Sequence, residues 1–461
     1  MTDWAGLVLT HGVLALCGGA AAWHPALRRT PLLVRTSAAL ACGTLALAVE
    51  AILWALLGIP WTTLTLALPL AGVSCTLALL WARTATPCQH PALGPSRPIA
   101  LVAAGIALGA LAHFALAALT SLGSASDLVL FWGVKGLHFA AAGGPDPATL
   151  AGAFAAHTHP SYPPLYPVLL AWWTLLAGAL PWRLVPVASS LYLAAALPLV
   201  YHLLRRACPP DLAAGVTALW ATALSAALVQ ARSAGNAEPL LLLFVTVAVT
   251  ALLTEPQPPA AVPRWTAALA LSGAVLTKNE GAVAAVLLVG GVMLRDRLWR
   301  RRPAARALLG LAWPPLAAWT LWLVLRLVCG LPLTDPIREP ALVMSFAHVG
   351  TILAAASEHL GAGSRGLAWL VPLAVLAVRC RGQSLVRVVP ALVLGGGLPA
   401  FLFVYYLHAV GDPSQLIDWT FPRVTLPALS ALIIAAGVAT ALPEAAPRPG
   451  DETGPPRSRL S

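Results

Sequence analysis

Of the 28 basic residues in the chain, only Lys135 and Lys278 are lysines, and each stands near a carboxylate. Asp127 lies two helical turns before Lys135, and Glu280 lies two residues after Lys278. A cation can hold an anionic group such as a phosphate, while a carboxylate beside it takes a proton from an incoming nucleophile. Arg232, Glu238, Asn279 and Arg423 extend the set, and Tyr162 adds a polar aromatic. His157 and His159 have the i, i+2 spacing of a metal-binding strand, but no third ligand with matching spacing follows, so no metal is expected. Each feature also has a plain reading. Asp127 can be a solvated loop residue, Lys135 can lie further along the same helix, and Lys278 can snorkel from a helix end at Gly281.

Whatever positions these residues is dissolved in lipid. The chain has 461 residues, 59% hydrophobic and 10% charged, against roughly 25% charged for a soluble domain. Stretches such as Leu101 to Thr120 and Val388 to Val404 carry no charge on any face. Alternating strands are absent, which excludes a barrel. The expected fold is all-α, a polytopic integral membrane protein with about thirteen crossings, since the apolar runs mostly reach the roughly 20 residues that a crossing needs. Two runs, 265–277 and 281–294, fall short of that length. The net charge of +11 comes mostly from arginines in short loops, which marks topology rather than nucleic-acid binding. The seven cysteines show no CxxC and read as reduced thiols.

The arginines also orient the chain. The apolar, Trp-rich segment from Pro163 to Pro181 looks like one more crossing. If it crosses, the block Arg295, Arg297, Arg300, Arg301, Arg302 and Arg306 falls on the non-cytoplasmic side; if it does not, that block and the other arginine-bearing loops lie inside. Pro164 to Leu180 is therefore expected to be an interfacial helix with Trp172 and Trp173 at the membrane surface. The N-terminus is then outside and the C-terminus cytoplasmic, in a multi-pass protein of the plasma (inner) membrane. The candidate residues gather on the outer face.

Four strings in order resemble the bacterial GT-C glycosyltransferases, in particular the dolichyl-phosphate-mannose protein mannosyltransferase and aminoarabinose transferase group. They are Asp127-Leu-Val-Leu-Phe-Trp-Gly-Val-Lys135, His159-Pro-Ser-Tyr-Pro-Pro-Leu-Tyr-Pro167, Ala234-Gly-Asn-Ala-Glu238 and Leu276-Thr-Lys-Asn-Glu-Gly281. The resemblance covers roughly residues 100 to 430. It implies transfer of a sugar from a polyprenyl-phosphate carrier on the outer leaflet, with inversion, and with Asp127 as general base for the acceptor hydroxyl. Lys278 and Arg423 are then candidates for the carrier phosphate, and Glu238 and Glu280 for the sugar hydroxyls or for orienting Lys278. Lys135, His157, His159, Tyr162, Arg232 and Asn279 complete the candidate substrate-binding set. Several members have two adjacent acidic residues at the catalytic position, whereas Ser126 precedes Asp127 here.

The expected partners are the lipid-linked donor, membrane lipid and an acceptor that is a glycan, a lipid or a protein; no cofactor and no nucleic acid are expected. The chain divides into an N-terminal three-helix addition at 1–97, a GT-C-like domain at 98–442 with an external loop at 121–183, and a disordered cytoplasmic tail at 443–461. The competing reading is a transporter or flippase of a lipid-linked sugar. It requires a polar path across the bilayer.

Overall fold

The computed structural model describes residues 3–25, 27–28, 30–83, 98–120, 127–147, 150, 159–255, 261–300, 305–331, 344–361, 363–409 and 412–441, and every regular element among them is a helix. His157 and the 443–461 tail lie outside the described residues. The first apolar run divides at Gly18 into α1 (Asp3–Cys17) and α2 (Gly19–Trp23). A side chain at Gly18 would strike the backbone of Ala39 in α3 (Leu32–Leu56), so glycine is what lets the two helices meet there. After α4 (Thr63–Arg83) and α5 (Pro98–Thr120), a short π-helix at Leu128–Trp132 runs directly into α6 (Gly133–Ala142). Then come α7 (Leu165–Ala177), α8 (Val185–Leu204), α9 (Pro210–Gln230) and α10 (Glu238–Leu253). They are followed by α11 (Ala261–Thr277), α12 (Asn279–Arg300) and α13 (Ala305–Val328). The last described helices are α14 (Val349–Gly361), α15 (Gly363–Arg379), α16 (Gln383–Leu407), α17 (Ser414–Val424) and α18 (Leu426–Ala441).

Among the described residues, seven helices are long and apolar enough to cross a bilayer, or up to nine if each of two bent pairs forms one span. The protein is thus an all-helical membrane protein. Of the expected thirteen crossings, α1 and α10 are among the shorter apolar helices of 10–17 residues, and α11 has 17. A run of that length is shorter than the roughly 20 residues that cross a bilayer unaided.

All sixteen residues of α10 are buried, and it packs against α8, α11, α12, α16 and α18. A helix that is apolar on every face belongs inside, surrounded by protein or lipid. Here it is surrounded by protein. Hydrogen bonds between helices fix its neighbours, because Trp220 Nε1 of α9 donates to Ser430 Oγ of α18 at 2.9 Å and that hydroxyl meets Thr246 Oγ1 of α10 at 2.7 Å.

Next to α10, α11 and α12 form a helical hairpin whose turn is Lys278. A Cβ on Gly281 would lie 1.9 Å from the carbonyl oxygen of Ala274, so only glycine permits this closeness. Gly281 therefore does not end a helix as the sequence suggested; it sits in the first turn of α12 and lets the two arms close. At the far end of the hairpin the arms are joined by charge. Arg264 Nη2 pairs with Asp296 at 2.9 Å and its Nε with Glu255 at 2.6 Å, while Arg295 Nη2 reaches the other oxygen of Glu255 at 2.6 Å. All four side chains are at most 5% exposed, and buried charges persist only when paired in this way.

The expected membrane-surface placement of Trp172 and Trp173 is not seen. They are 1% and 3% exposed, because α1, α3 and α4 pack on α7 and cover it with protein. A helix does run where the interfacial one was expected, as Leu165–Ala177.

Candidate functional site

At the Lys278 end of the hairpin, residues from four distant segments make one ion-paired cluster. Asp127 enters at the start of the π-helix and pairs through Oδ2 with Nη1 of Arg423 on α17. Nε of the same guanidinium lies 3.8 Å from Glu238 Oε1 at the start of α10. Glu238 Oε1 in turn accepts from Lys278 Nζ at 3.1 Å, and that ammonium also pairs with Glu280 at 3.3 Å. Lys278 further lies over the ring of Tyr162, 5.7 Å from its centroid.

Local sequence explains how each group arrives. Pro239 follows Glu238 in the first turn of α10, where the missing N–H costs nothing. Arg423 occupies the last turn of α17, and Pro427 lacks the N–H that would reach the Arg423 carbonyl, so α17 and α18 meet at a 40° bend. The Arg423 Nε also donates to Trp419 O at 2.9 Å, which orients the guanidinium. Asp127 leads into a π-helical turn, a local register change often found at functional sites.

The cluster holds three carboxylates against two cations, one formal negative charge in excess. Burial opposes the charge on Lys278, in the turn outside both helices, but Glu238 and then Glu280 outweigh it and hold the ammonium above its ordinary range. Glu238 Oε2, Glu280 Oε2 and Asn236 Oδ1 are buried acceptors without a partner among the described residues. The site can thus receive hydrogen-bond donors.

The remaining candidates fall around this cluster in different ways. Lys135 is fully buried rather than facing a cleft; its Nζ donates to the carbonyl of His159 at 3.2 Å and lies 5.6 Å from the ring centroid of Phe131. It thereby supports His159, whose φ of 44° is unusual for a non-glycine residue. The His159 ring packs edge-on against Phe131 and Tyr162 at 4.7 and 5.7 Å. Asn279 opens α12, half-buried. Arg232 is exposed on the turn after α9 and is not part of the ion-paired set. His157 is outside the described residues. No group of three metal-ligating side chains occurs among the described residues.

Three supporting residues went unrecognised in the sequence: Gly235, Ser189 and Tyr166. Gly235 takes a left-handed φ of 82°, and its N–H donates to Ser189 Oγ at 3.1 Å while its carbonyl accepts from Tyr166 at 2.6 Å. A Cβ there would meet the Leu128 side chain at 2.8 Å, so the turn delivering Glu238 is pressed against the π-helix that carries Asp127. The signal was available for Tyr166 alone: a hydroxyl in an otherwise apolar helix needs a partner.

Beside the cluster, α9, α15 and the bend between α17 and α18 enclose an apolar groove of about 260 Å³, lined by Leu219, Ala223, Trp369, Phe421, Pro422 and Leu429 among others. At its rim His359 Nε2 meets Asp418 Oδ1 at 2.9 Å, and its ring stacks on Phe421 with centroids 6.1 Å apart. Pro422 puts the groove one residue from Arg423.

No family model, no curated protein sequence and no solved structure matches this chain. The site must be interpreted from its own geometry.

Proposed function

We propose that this protein is a membrane glycosyltransferase that moves a sugar from a polyprenyl-phosphate carrier to an acceptor on the non-cytoplasmic face, with inversion. One observation carries the reading: Asp127, Glu238, Lys278 and Glu280, from three of the strings that resemble the GT-C enzymes, form one connected ion-paired cluster through Arg423. The adjacent apolar groove supports it, since a carrier needs room for a hydrocarbon chain beside its charged head.

In the proposed reaction the acceptor oxygen attacks the anomeric carbon while the Asp127 carboxylate takes the hydroxyl proton. The bond from that carbon to the phosphate oxygen breaks, and its electron pair leaves with the carrier. The phosphate gains one negative charge in this step, which Arg423 and Lys278 are placed to stabilise. Glu238, Glu280 and Asn236 offer the partnerless acceptor oxygens that sugar hydroxyls would satisfy.

The arginine distribution favours placing this cluster outside, the N-terminus outside and the C-terminus in the cytoplasm, with the short helices completing about thirteen crossings. Apolar side chains of α10 separate the cluster from the arginines at the other end, an arrangement that favours transfer at one face over a polar path across the bilayer.

The deciding experiment supplies purified protein with polyprenyl-phosphate sugars and follows product formation. The wild-type protein should transfer, and Asp127→Asn should abolish turnover while leaving the protein folded. An Asp127→Asn variant that transfers at the wild-type rate removes Asp127 as the base.

A further inference from the structure

We propose that a buried cavity between α1, α7 and α8 is a binding site for one ordered water molecule, which completes the docking of the N-terminal helix on the rest of the protein. The cavity measures about 10 Å³ and is lined by Thr10 and His11 of α1, Tyr166 and Trp173 of α7 and Tyr192 of α8, among others. That is about the space one water requires.

Its polar lining asks for such a molecule. Thr10 Oγ1, His11 Nε2 and Trp173 Nε1 are each buried and have no hydrogen-bond partner among the described residues. The residues themselves are 2%, 9% and 3% exposed. His11 Nδ1 lies 2.9 Å from the carbonyl of Leu7, which can only accept, so Nδ1 carries the proton and Nε2 of the neutral ring is an acceptor. The Trp173 N–H can only donate. The two rings meet edge to face with centroids 5.7 Å apart and do not bond to each other.

The ligand must therefore accept from Trp173 and donate to His11 at once. A metal ion cannot accept the indole proton, and a halide cannot donate to the imidazole. Water does both and has capacity left for the Thr10 hydroxyl, giving the three bonds that buried waters typically make. The same helix that holds this water carries Tyr166, whose hydroxyl holds the turn before Glu238. Docking of α1 thus bears on the element that supports the cluster.

A density map of the full protein in lipid nanodiscs, at a resolution that shows ordered water, tests this directly. The expected result is a peak within about 3 Å of both His11 Nε2 and Trp173 Nε1. A direct Trp173 to His11 bond with no peak between them overturns the proposal. Thermal melts give a second measurement. His11→Leu alone should lower Tm by several degrees because it strands the other partners, whereas Thr10→Val, His11→Leu and Trp173→Phe combined should lose less than the sum of the three single variants. Losses that simply add speak against a shared water.

Discussion

Arg423 is held by two carboxylates at once, Asp127 on Nη1 and Glu238 at 3.8 Å from Nε, across 296 residues of sequence in the first case. The proposed base is thus engaged by the cation proposed to bind phosphate. In the proposed reaction, a carrier phosphate entering the cluster would compete with Asp127 for Arg423, and its arrival would free the carboxylate.

This competition gives the first prediction. Asp127→Asn should bind a sugar-free polyprenyl phosphate more tightly than the wild type, by up to about tenfold, as expected from about 1.4 kcal/mol of released ion pairing. Titration of the purified variant in detergent measures it. Weaker binding would mean that Asp127 and the phosphate do not share Arg423.

Glu238 should matter more for stability than Glu280. It touches both cations and its side chain is 4% exposed, while Glu280 touches Lys278 alone and is 12% exposed. Glu238→Gln leaves buried Lys278 and half-buried Arg423 each short of a partner, a cost of about 3 kcal/mol. Thermal melts of the two glutamine variants should rank Glu238→Gln clearly lower; equal melts contradict the shared role.

Lys278 supplies a pH prediction. Its pKa is raised in the folded state, so the stability of its ion pairs is fully present below the ordinary lysine value of about 10.4 and is lost only as pH rises through the folded value. Its contribution to Tm should stay constant from about pH 8 to about pH 10. A fall over that range in the wild type that vanishes in Lys278→Met would show that the ammonium is not held this way.

The hairpin offers a paired glycine test. Gly281→Ala places a methyl group 1.9 Å from a backbone oxygen and should spread α11 from α12, lowering Tm and donor binding together. Gly290, on the same helix, has open space to 4 Å around the point where a Cβ would stand, so Gly290→Ala should be neutral or raise stability by up to about 1 kcal/mol. A Gly281→Ala protein that matches Gly290→Ala in both readouts would refute the close approach.

At the other end of that hairpin, Asp296→Asn should lower Tm without changing phosphate affinity in the protein that remains folded. Sixteen residues of α10 separate the two charge networks, roughly 24 Å at 1.5 Å per residue. An affinity change of tenfold would mean that the hairpin transmits strain along its length.

Hydropathy made the membrane character and most helices legible, and the charge pattern separated the two ends correctly in kind: Glu238 and Lys278 lie at one end of α10 to α12, Arg264 and Arg295 at the other. What the pattern could not distinguish was lipid from protein as the surroundings of an apolar helix. α5 and α10 look alike in sequence, yet only 22% of the most apolar stretch of α5 is buried while α10 is covered throughout. The same ambiguity put Trp172 and Trp173 at a membrane surface. Lys135 drew attention as a rare lysine, but rarity does not say which way a side chain turns. The pairing of Asp127 with Arg423 was equally hidden, because contacts across so many residues leave no local spacing to read.

The shortness of α10 has an electrical consequence. At roughly 24 Å it is thinner than the roughly 30 Å hydrocarbon core, and ionised groups stand at both of its ends. With α10 among the proposed crossings, the voltage across an energised membrane would fall over a shorter insulating path through α10 than through a full-length span such as α5, and the local field would be steeper by roughly a quarter. In the proposed reaction, the proton passed to Asp127 and the charge gained by a departing phosphate would shift at the edge of that steepened field.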